Sequence, residues 1–304
     1  MQVSILFCEN PLEKNAVEPD FAREYAAANE AGFVTLLLNY DDLLIEERQL
    51  FALKRIRPAE TETLVIYRGW MLTPEQYAML FGMLHARNYT LANTATEYQN
   101  CHYLPDSLQF IASKTPATIY QPIVDKSSIE LLIDSVAQFG ASPVVIKDYV
   151  KSEKHDWETA CFVPDASNKE FLRTSINNLI RLRGDYLNKG IVIREFVALQ
   201  PMAVHSKSGI PLMEEYRLFF LFNKLVGVYD YWEEGEYTAI RPDIVEFETL
   251  AQRIKSNFFS MDIARQTNGS FTIIELGDGQ VAGLPDSAGV HDFYGRLKNI
   301  ITSK

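Results

Sequence analysis

Residues 258–277 read FFSMDIARQTNGSFTIIELG, two largely apolar segments on either side of Asn268-Gly269. Asn-Gly suits both positions of a type I′ turn, where φ is positive, so the dipeptide predicts a β-hairpin with a two-residue loop. That register places Asp262 directly opposite Glu275, with Cβ atoms ~5 Å apart. Facing carboxylates repel each other unless a cation neutralises them, and oxygen-only ligands suit Mg²⁺. The hairpin therefore predicts a metal site; the alternatives are a solvated face with a lysine or arginine nearby, or a different register.

A second hairpin is predicted for residues 216–222 and 225–231, around Asn223-Lys224. Its register would place Arg217 opposite Asp230. For this pair alone an internal salt bridge is the favoured interpretation. An arginine among apolar strand residues is nonetheless partly desolvated, which makes Arg217 a candidate for holding a phosphate.

Two earlier apolar strands also contain basic residues, and one of them is followed by a loop with two more. Lys147 lies in the strand of residues 143–150 and needs an anionic partner, either a protein carboxylate or a ligand phosphate. The loop after it carries Lys151 and Lys154, which could close over phosphates or remain solvated. The strand of residues 190–199 contains Arg194 and Glu195, which predict an internal ion pair or a strand end beside a flat ligand.

Strands and helices alternate in the first third of the chain, which predicts a small α/β layer with parallel strands. Residues 105–122 are predicted to be a loose segment. After them the pattern becomes α+β, with antiparallel hairpins and a last helix from about residue 286. These shifts predict two domains, 1–110 and 111–304.

Composition excludes several classes of protein. The 304 residues contain 29 Lys+Arg and 40 Asp+Glu, a net charge of 29 − 40 = −11, which argues against nucleic-acid and anionic-membrane partners. No segment is apolar enough to span a membrane. The three cysteines are widely spaced and the N-terminus lacks the features of a signal peptide, so we expect a cytoplasmic protein.

The order of these features resembles the ATP-grasp superfamily, and most closely its clade named for two arginines and a lysine. The resemblance covers roughly residues 110 to 300. The residues that carry it are 146–152 with Lys154 and His155, 194–197, 215–217, Asp262 and 275–283. The layer before them, with residues 67–71, looks like the small domain that precedes the grasp. The resemblance thus implies a small N-terminal α/β (pre-ATP-grasp) layer followed by an ATP-grasp fold of two antiparallel-rich sheets with helices.

The resemblance also implies a nucleotide site that uses ATP and Mg²⁺. Lys147 would contact the α- and β-phosphates, and Arg217 would lie near the γ-phosphate and the transferring group. The other implied roles are phosphate-loop contacts by Lys151 and Lys154, a cofactor-binding cation at Arg194, adenine contacts by Glu195, Phe196 and Val197, and Mg²⁺ ligation by Asp262, Glu275 and Asp278. The phosphate loop departs from the family pattern because it is not Gly-rich, and no acidic ribose ligand follows residue 197.

The implied activity is an ATP- and Mg²⁺-dependent carboxylate–amine ligase that works through an acylphosphate. Its substrate would be an amino acid, a peptide or a protein terminus, and Arg68 is predicted either to bind the substrate carboxylate or to be a structural arginine. The alternatives are a phosphotransferase on the same site and a catalytically silent nucleotide-binding module. The sequence leaves a homo-oligomer open.

Overall fold

The structure is a computed structural model that describes residues 3–207 and 209–303. The chain divides into two compact units. The first consists of Met1–His102, Pro201–Ile263 and Leu276–Lys304, and the second of Tyr103–Gln200 and Ala264–Glu275. Two of the crossings between the units, after Ile263 and after Glu275, therefore fall inside the predicted 258–277 hairpin.

A four-stranded parallel sheet with the order β2-β1-β3-β4 begins the first unit. Its strands are β1 (Val3–Cys8), β2 (Val34–Leu38), β3 (Thr63–Arg68) and β4 (Tyr89–Leu91). Side chains alternate across β1, so Ile5 and Phe7 join one buried apolar cluster while Leu6 and Cys8 join another. Both faces of the sheet are thus covered, as parallel strands require, and the predicted α/β layer is confirmed.

The helices of this layer are α1 (Ala22–Glu30), α2 (Tyr40–Leu44), α3 (Pro74–His85) and α4 (Ala95–His102). Thr73 begins α3 with a capping box, since its hydroxyl accepts the Gln76 N–H and the Gln76 side chain accepts the Thr73 N–H. Thr94 and Glu97 make the same reciprocal pair before α4. Both boxes satisfy N–H groups that have no partner within the helix.

The second unit contains a four-stranded antiparallel sheet with the order β5-β8-β6-β7. Its strands are β5 (Thr118–Pro122), β6 (Val144–Asp148), β7 (Phe162–Val163) and β8 (Gly190–Glu195), and its helices are α5 (Leu104–Ile111), α6 (Lys126–Ser135) and α7 (Lys169–Arg183). Apolar side chains of α6 and α7 pack on β6 and β8 in one buried cluster.

The predicted loose segment at residues 105–122 is wrong, because it contains α5 and β5. Pro105 lies in the first turn of α5, where no partner for its nitrogen is needed. Pro122 is the last residue of β5, an edge strand, so its missing N–H removes no ladder hydrogen bond from the sheet interior.

The remaining strands are β9 (Pro201–Val204) and β10 (Pro211–Met213), which form a two-stranded ribbon, and a four-stranded sheet with the order β12-β11-β13-β14. The strands of that sheet are β11 (Glu215–Leu221), β12 (Lys224–Asp230), β13 (Phe258–Arg265) and β14 (Phe271–Asp278), and the last helices are α8 (Ile244–Ala251) and α9 (Val290–Thr302). Among the described residues, no helix combines the length and the apolar character needed to cross a membrane.

Both hairpin turns differ from the prediction. In the first, Phe222 and Asn223 have positive φ values of 50° and 61°, so the turn centres one residue earlier than Asn223-Lys224. A β-bulge between Phe219 and Phe220 shifts the register of β11 against β12. Arg217 therefore pairs with Tyr229 instead of Asp230.

In the second turn Gly269 alone of the Asn-Gly pair has positive φ. The Gln266 N–H donates to the Ser270 carbonyl and the Gly269 N–H donates to the Gln266 carbonyl, so the loop has three residues, not two. The Asn268 side chain accepts hydrogen bonds from Ser270 and stabilises this alternative turn. The pairing of Asp262 with Glu275 stays a prediction.

Candidate functional site

Lys147 lies on β6 of the second unit and is almost entirely buried. Its Nζ donates to Glu275 Oε2 over 2.8 Å, and the Glu275 side chain is 38% exposed. A buried ammonium group needs such a partner, because desolvation of an unpaired charge is costly. The protein-carboxylate alternative for Lys147 is thus observed, and the carboxylate is one that the sequence analysis assigned to the metal.

Arg194, on β8, binds the strand that carries Glu275, which is β14. Its guanidinium donates to the Ile274 carbonyl and to Thr115 Oγ1, both over 2.6 Å, and to Thr118 Oγ1 over 3.3 Å. Burial lowers the pKa of Arg194 to about 10, against the opposing effect of the Glu275 charge. These bonds replace the predicted Arg194–Glu195 ion pair, and they hold β14 beside Lys147. The two threonines had no signal in the sequence.

The predicted adenine segment begins where β8 ends. The Glu195 and Phe196 N–H groups donate to the carbonyls of Ala117 and Pro143. The Val197 backbone has no hydrogen-bond partner within the described part of the chain. Such free backbone groups at a strand end are those that an adenine edge could use.

An aromatic cluster lies beside Phe196. The Phe196 ring contacts Phe162 at 5.1 Å and Trp157 at 6.5 Å between centroids, and Trp157 stacks on Phe162 at 5.6 Å. Trp157 is 38% exposed and was not identified from the sequence. It belongs to a π-helical turn (Trp157–Cys161), and β7 begins directly after that turn.

The lysine loop is organised by Asp148, a fully buried carboxylate that the sequence analysis did not single out. Asp148 accepts hydrogen bonds from the Val150 and Lys151 N–H groups and from Arg183 and Asn188. The side chains of Lys151 and Lys154 remain exposed. This loop therefore has a fixed beginning in place of a glycine-rich one, and its two lysines stay accessible to an anionic ligand.

Arg217 and Asp262 form an ion pair in the first unit. Arg217 Nε and Nη2 donate to the two carboxylate oxygens of Asp262, each over 2.7 Å, and Nη1 donates to the Gly283 carbonyl. The guanidinium also lies over the Tyr231 ring, 4.7 Å from its centroid. Asp230, the predicted partner of Arg217, instead accepts from Arg241 over 2.7 Å.

Asp262 and Glu275 are both carboxylates, and oxygen ligands of this kind suit Mg²⁺, which commonly binds one or two carboxylates together with phosphate oxygens. Within residues 3–207 and 209–303, no three histidine, cysteine or acidic side chains are grouped so as to hold a metal by themselves. The chemistry of each carboxylate fits Mg²⁺, and the ligation of a metal by Asp262 and Glu275 stays a prediction.

Asp278 is buried, and its carboxylate accepts hydrogen bonds from Asn93 and from the backbone and side chain of Gln280. Burial raises the pKa of Asp278 to about 7. Its two oxygens therefore accept hydrogen bonds from residues of the first unit, and the structure gives no support to the predicted metal contact of this residue.

Arg68 is also buried, at the end of β3. Its guanidinium donates twice to Glu24, over 2.9 Å each, and to the carbonyls of Gly279 and Ala282. The geometry supports the alternative of a structural arginine, since these bonds use its donors inside the protein.

A cavity of about 340 Å³ adjoins Arg217 in the first unit, and we call it the Arg217 cavity. Its lining combines one arginine, three carboxylates, two aromatic rings, a histidine and several apolar residues: His205, Leu212, Arg217, 231–234 and 283–286. The sequence analysis gave a functional role only to Arg217 in this group; Tyr231 and Gly283 lay in segments that it named for other reasons.

A family model for the ATP-grasp domain, that of family 3 in the clade named for two arginines and a lysine, matches residues 138–298, more than half of the chain. The chain belongs to this ATP-grasp family. The resemblance inferred from the sequence is thereby confirmed. A search of curated proteins finds no significant match.

Solved structures share the ATP-grasp fold over nearly the whole chain. A RimK domain ATP-grasp protein from Sphaerobacter thermophilus DSM 20745 is 13% identical with a TM-score of 0.58, covering 99% of both chains. D-alanine–D-alanine ligase from Bacillus anthracis, complexed with ATP, is 15% identical with a TM-score of 0.56, covering 99% of this chain and 96% of the ligase.

The ATP-grasp ligase PsnB, complexed with minimal precursor, Mg and ADP, is 12% identical with a TM-score of 0.56, covering 99% of this chain and 97% of PsnB. At these identities the similarity establishes the fold, and the predicted fold class is confirmed.

Proposed function

We propose that this ATP-grasp protein is an ATP- and Mg²⁺-dependent ligase that joins a carboxylate to an amine through an acylphosphate and releases ADP and phosphate. The observation that carries the proposal is the 2.8 Å contact between Lys147 and Glu275, a buried cation held beside a half-exposed carboxylate within the matched family segment. This arrangement would supply a phosphate-binding charge from β6 and a metal-binding oxygen from β14, strands of two different sheets.

The residues of the chain would act mainly by position and charge. Lys147 would bind the α- and β-phosphates, and Lys151 and Lys154 would approach the phosphates from their loop. Arg217 would neutralise the negative charge that develops on the transferring phosphoryl group. Mg²⁺ held by Asp262 and Glu275 would neutralise the β- and γ-phosphates.

The adenine would bind at the end of β8. The unpaired Val197 backbone supports this assignment, together with the aromatic cluster of Trp157, Phe162 and Phe196. Arg194 would act indirectly, by holding β14 in place next to Lys147.

The substrate class proposed here is an amino acid, a peptide or a protein terminus. Two proteins that share the fold support this class: one is named a D-alanine–D-alanine ligase, and the other, PsnB, is complexed with a minimal precursor. We also propose a cytoplasmic location, which the three buried, unpaired cysteines support. The domain division at residues 1–110 and 111–304 remains a proposal.

The test is ADP release with ATP and Mg²⁺ across a panel of amino acids and short peptides, with and without hydroxylamine. We expect ADP release that depends on a carboxylate, and a hydroxamate when hydroxylamine intercepts the acylphosphate. Asp262→Asn and Glu275→Gln should abolish both, whereas Glu130→Gln, at an exposed ion pair with Arg173, should change neither.

A phosphorylated acceptor without hydroxamate would identify a phosphotransferase instead. ATP binding without any ADP release would identify the silent nucleotide-binding module, and absence of both ADP release and ATP binding would overturn the ligase and both alternatives.

A further inference from the structure

Backbone groups at the start of the lysine loop, residues 149–156, are already bound inside the second unit. Asp148 accepts the N–H groups of Val150 and Lys151, and its own N–H donates to the Lys151 carbonyl over 2.8 Å. A glycine-rich loop binds phosphates through N–H groups of this kind. Since these N–H groups are occupied, a phosphate at this loop would be bound by lysine side chains, and the placement of those side chains becomes important.

Arg183 joins the Asp148 anchor to a second carboxylate. Arg183 is the last residue of α7, and its Nε donates to Asp148 over 3.0 Å while its Nη1 donates to Glu153 over 2.9 Å. The remaining nitrogen, Nη2, donates to the Tyr186 carbonyl over 2.8 Å. A planar guanidinium can bridge two carboxylates in this way, and a lysine ammonium lacks the fixed fork.

We propose that Arg183 is a positioning residue for nucleotide binding: through Glu153 it fixes Lys154, the next residue in the loop, where Lys154 meets the phosphates of ATP. This role rests on the proposed function, in which Lys154 is assigned to the phosphates. Arg183 itself touches no phosphate in this role. Lys151 is held by Asp148 and Lys154 by Glu153, so Arg183 connects the anchors of both lysines.

The charge of Glu153 gives Arg183 a second task. A carboxylate next to Lys154 repels a polyphosphate unless a cation neutralises it. Arg183 supplies that cation from α7, outside the loop, and the Lys154 side chain is exposed. The Arg183 and Glu153 side chains are 17% and 23% exposed, so their attraction is less screened by salt than that of a surface pair.

The backbone at Glu153 has anchors that do not depend on its side chain. It hydrogen-bonds the Cys161 thiol, which is buried, and the Glu153 carbonyl accepts the Asp156 N–H over 2.9 Å. Shortening the Glu153 side chain therefore removes the contact with Arg183 and leaves these bonds in place. We expect such a variant to fold.

The test compares Glu153→Ala with Glu153→Gln, two variants of equal charge, in the full-length protein. Glutamine keeps a carbonyl oxygen that can accept Arg183 Nη1, whereas alanine has no side-chain acceptor. Any effect of the lost negative charge on MgATP is the same in both variants. Isothermal titration calorimetry should give Glu153→Ala an affinity for MgATP at least about fivefold lower than that of Glu153→Gln, because only alanine loses the charge-assisted hydrogen bond.

The same comparison in a Lys154→Met background shows whether the effect passes through Lys154. The two affinities should then agree within about twofold, because the side chain that Glu153 positions is gone. Hydrogen exchange without nucleotide, followed by mass spectrometry, should be faster at residues 150–156 in Glu153→Ala than in Glu153→Gln. A purely structural role would leave the difference in affinity intact when Lys154 is replaced.

Glu130 provides the matched control. Its carboxylate accepts two hydrogen bonds from Arg173, over 2.8 and 2.7 Å, and Arg173 belongs to α7 like Arg183. This second pair lies outside the lysine loop and is more exposed. Glu130→Ala and Glu130→Gln should therefore bind MgATP equally and leave hydrogen exchange at residues 150–156 unchanged.

The positioning role is overturned if Glu153→Ala and Glu153→Gln bind MgATP equally, if they exchange equally at residues 150–156, or if their difference in affinity persists with Lys154→Met. ADP release combined with equal affinities removes this role alone. A Lys154-dependent difference without any ADP release keeps the phosphate contact and removes the ligase. Absence of MgATP binding by the unaltered protein overturns both.

Discussion

At the scale of single residues, two of the predicted site residues are buried or nearly buried cations, and each is paired with a carboxylate of its own unit. Lys147 pairs with Glu275 in the second unit, and Arg217 pairs with Asp262 in the first. Each cation was predicted to bind phosphate and each carboxylate to bind metal. The pairs neutralise charges that would otherwise be costly to bury, so nucleotide binding requires each group to exchange its partner.

Lys147→Met should weaken binding of MgATP by about tenfold or more, since a charge-assisted hydrogen bond contributes about 1.5–3 kcal/mol. Isothermal titration calorimetry measures the affinity. Lys169→Met is the matched control, because Lys169 is exposed and pairs with Asp134 at the surface. Equal affinities for the two variants would contradict the role of Lys147.

Arg217→Lys should lower kcat by roughly 100-fold, the scale seen when a donor to developing negative charge is removed. Lysine keeps the charge but cannot make the two-pronged bond to Asp262 or lie flat over Tyr231. Steady-state ADP release gives kcat, with Arg241→Lys as the control at an exposed pair with Asp230. A kcat within about threefold of the original would exclude this role.

At the scale of elements, the β11–β12 hairpin depends on an unusual turn. Phe222 and Asn223 both adopt positive φ, and the turn together with a bulge sets the register of β11 against β12, in which Arg217 pairs with Tyr229 instead of Asp230. Asparagine tolerates this backbone region better than other residues with a side chain, because its short polar side chain can bond locally.

Asn223→Ala should therefore lower the free energy of unfolding by about 1 kcal/mol. Denaturant titration measures the change. Asn299→Ala is the control, because Asn299 lies in α9, where the backbone is right-handed and alanine is favoured. If the two variants unfold at the same denaturant concentration, the positive φ of Asn223 does not limit the stability of this hairpin.

At the scale of the whole molecule, Asp278 makes stability depend on pH. Burial raises the folded-state pKa of Asp278 to about 7, from 3.8. Between these values the folded state holds a proton that the unfolded state has released, so the free energy of unfolding should fall as pH rises from about 4 to 7. The favourable contribution is fully present below pH 4 and is lost above pH 7.

Asp278→Asn should flatten this part of the stability profile, as measured by denaturant titrations at a series of pH values. Asp165→Asn is the control: the Asp165 carboxylate is exposed and hydrogen bonds from Ser167 lower its pKa, so its titration lies below this range. A profile that keeps its slope in Asp278→Asn would show that other groups cause the dependence.

The sequence by itself predicted the features that depend on neighbouring residues in the chain. The capping residues Thr73 and Thr94 marked helix starts, and the ordered cations and carboxylates from Lys147 to Glu275 identified the ATP-grasp family. The order of those residues along the chain is the resemblance from which the family was inferred. The acidic net charge likewise described the surface and left room for a few buried cations.

Only the tertiary structure decided which of these groups meet. Arg217 lies opposite Tyr229 because the turn centres on Phe222 and Asn223 and a bulge shifts the register, and its ion-pair partner Asp262 belongs to β13, 45 residues away in sequence. Arg68 is saturated by Glu24 and by carbonyls more than 200 residues away in sequence. The Arg217 cavity combines several separate segments, and no single segment carries enough pattern to predict it, because a cavity is a property of their arrangement in space.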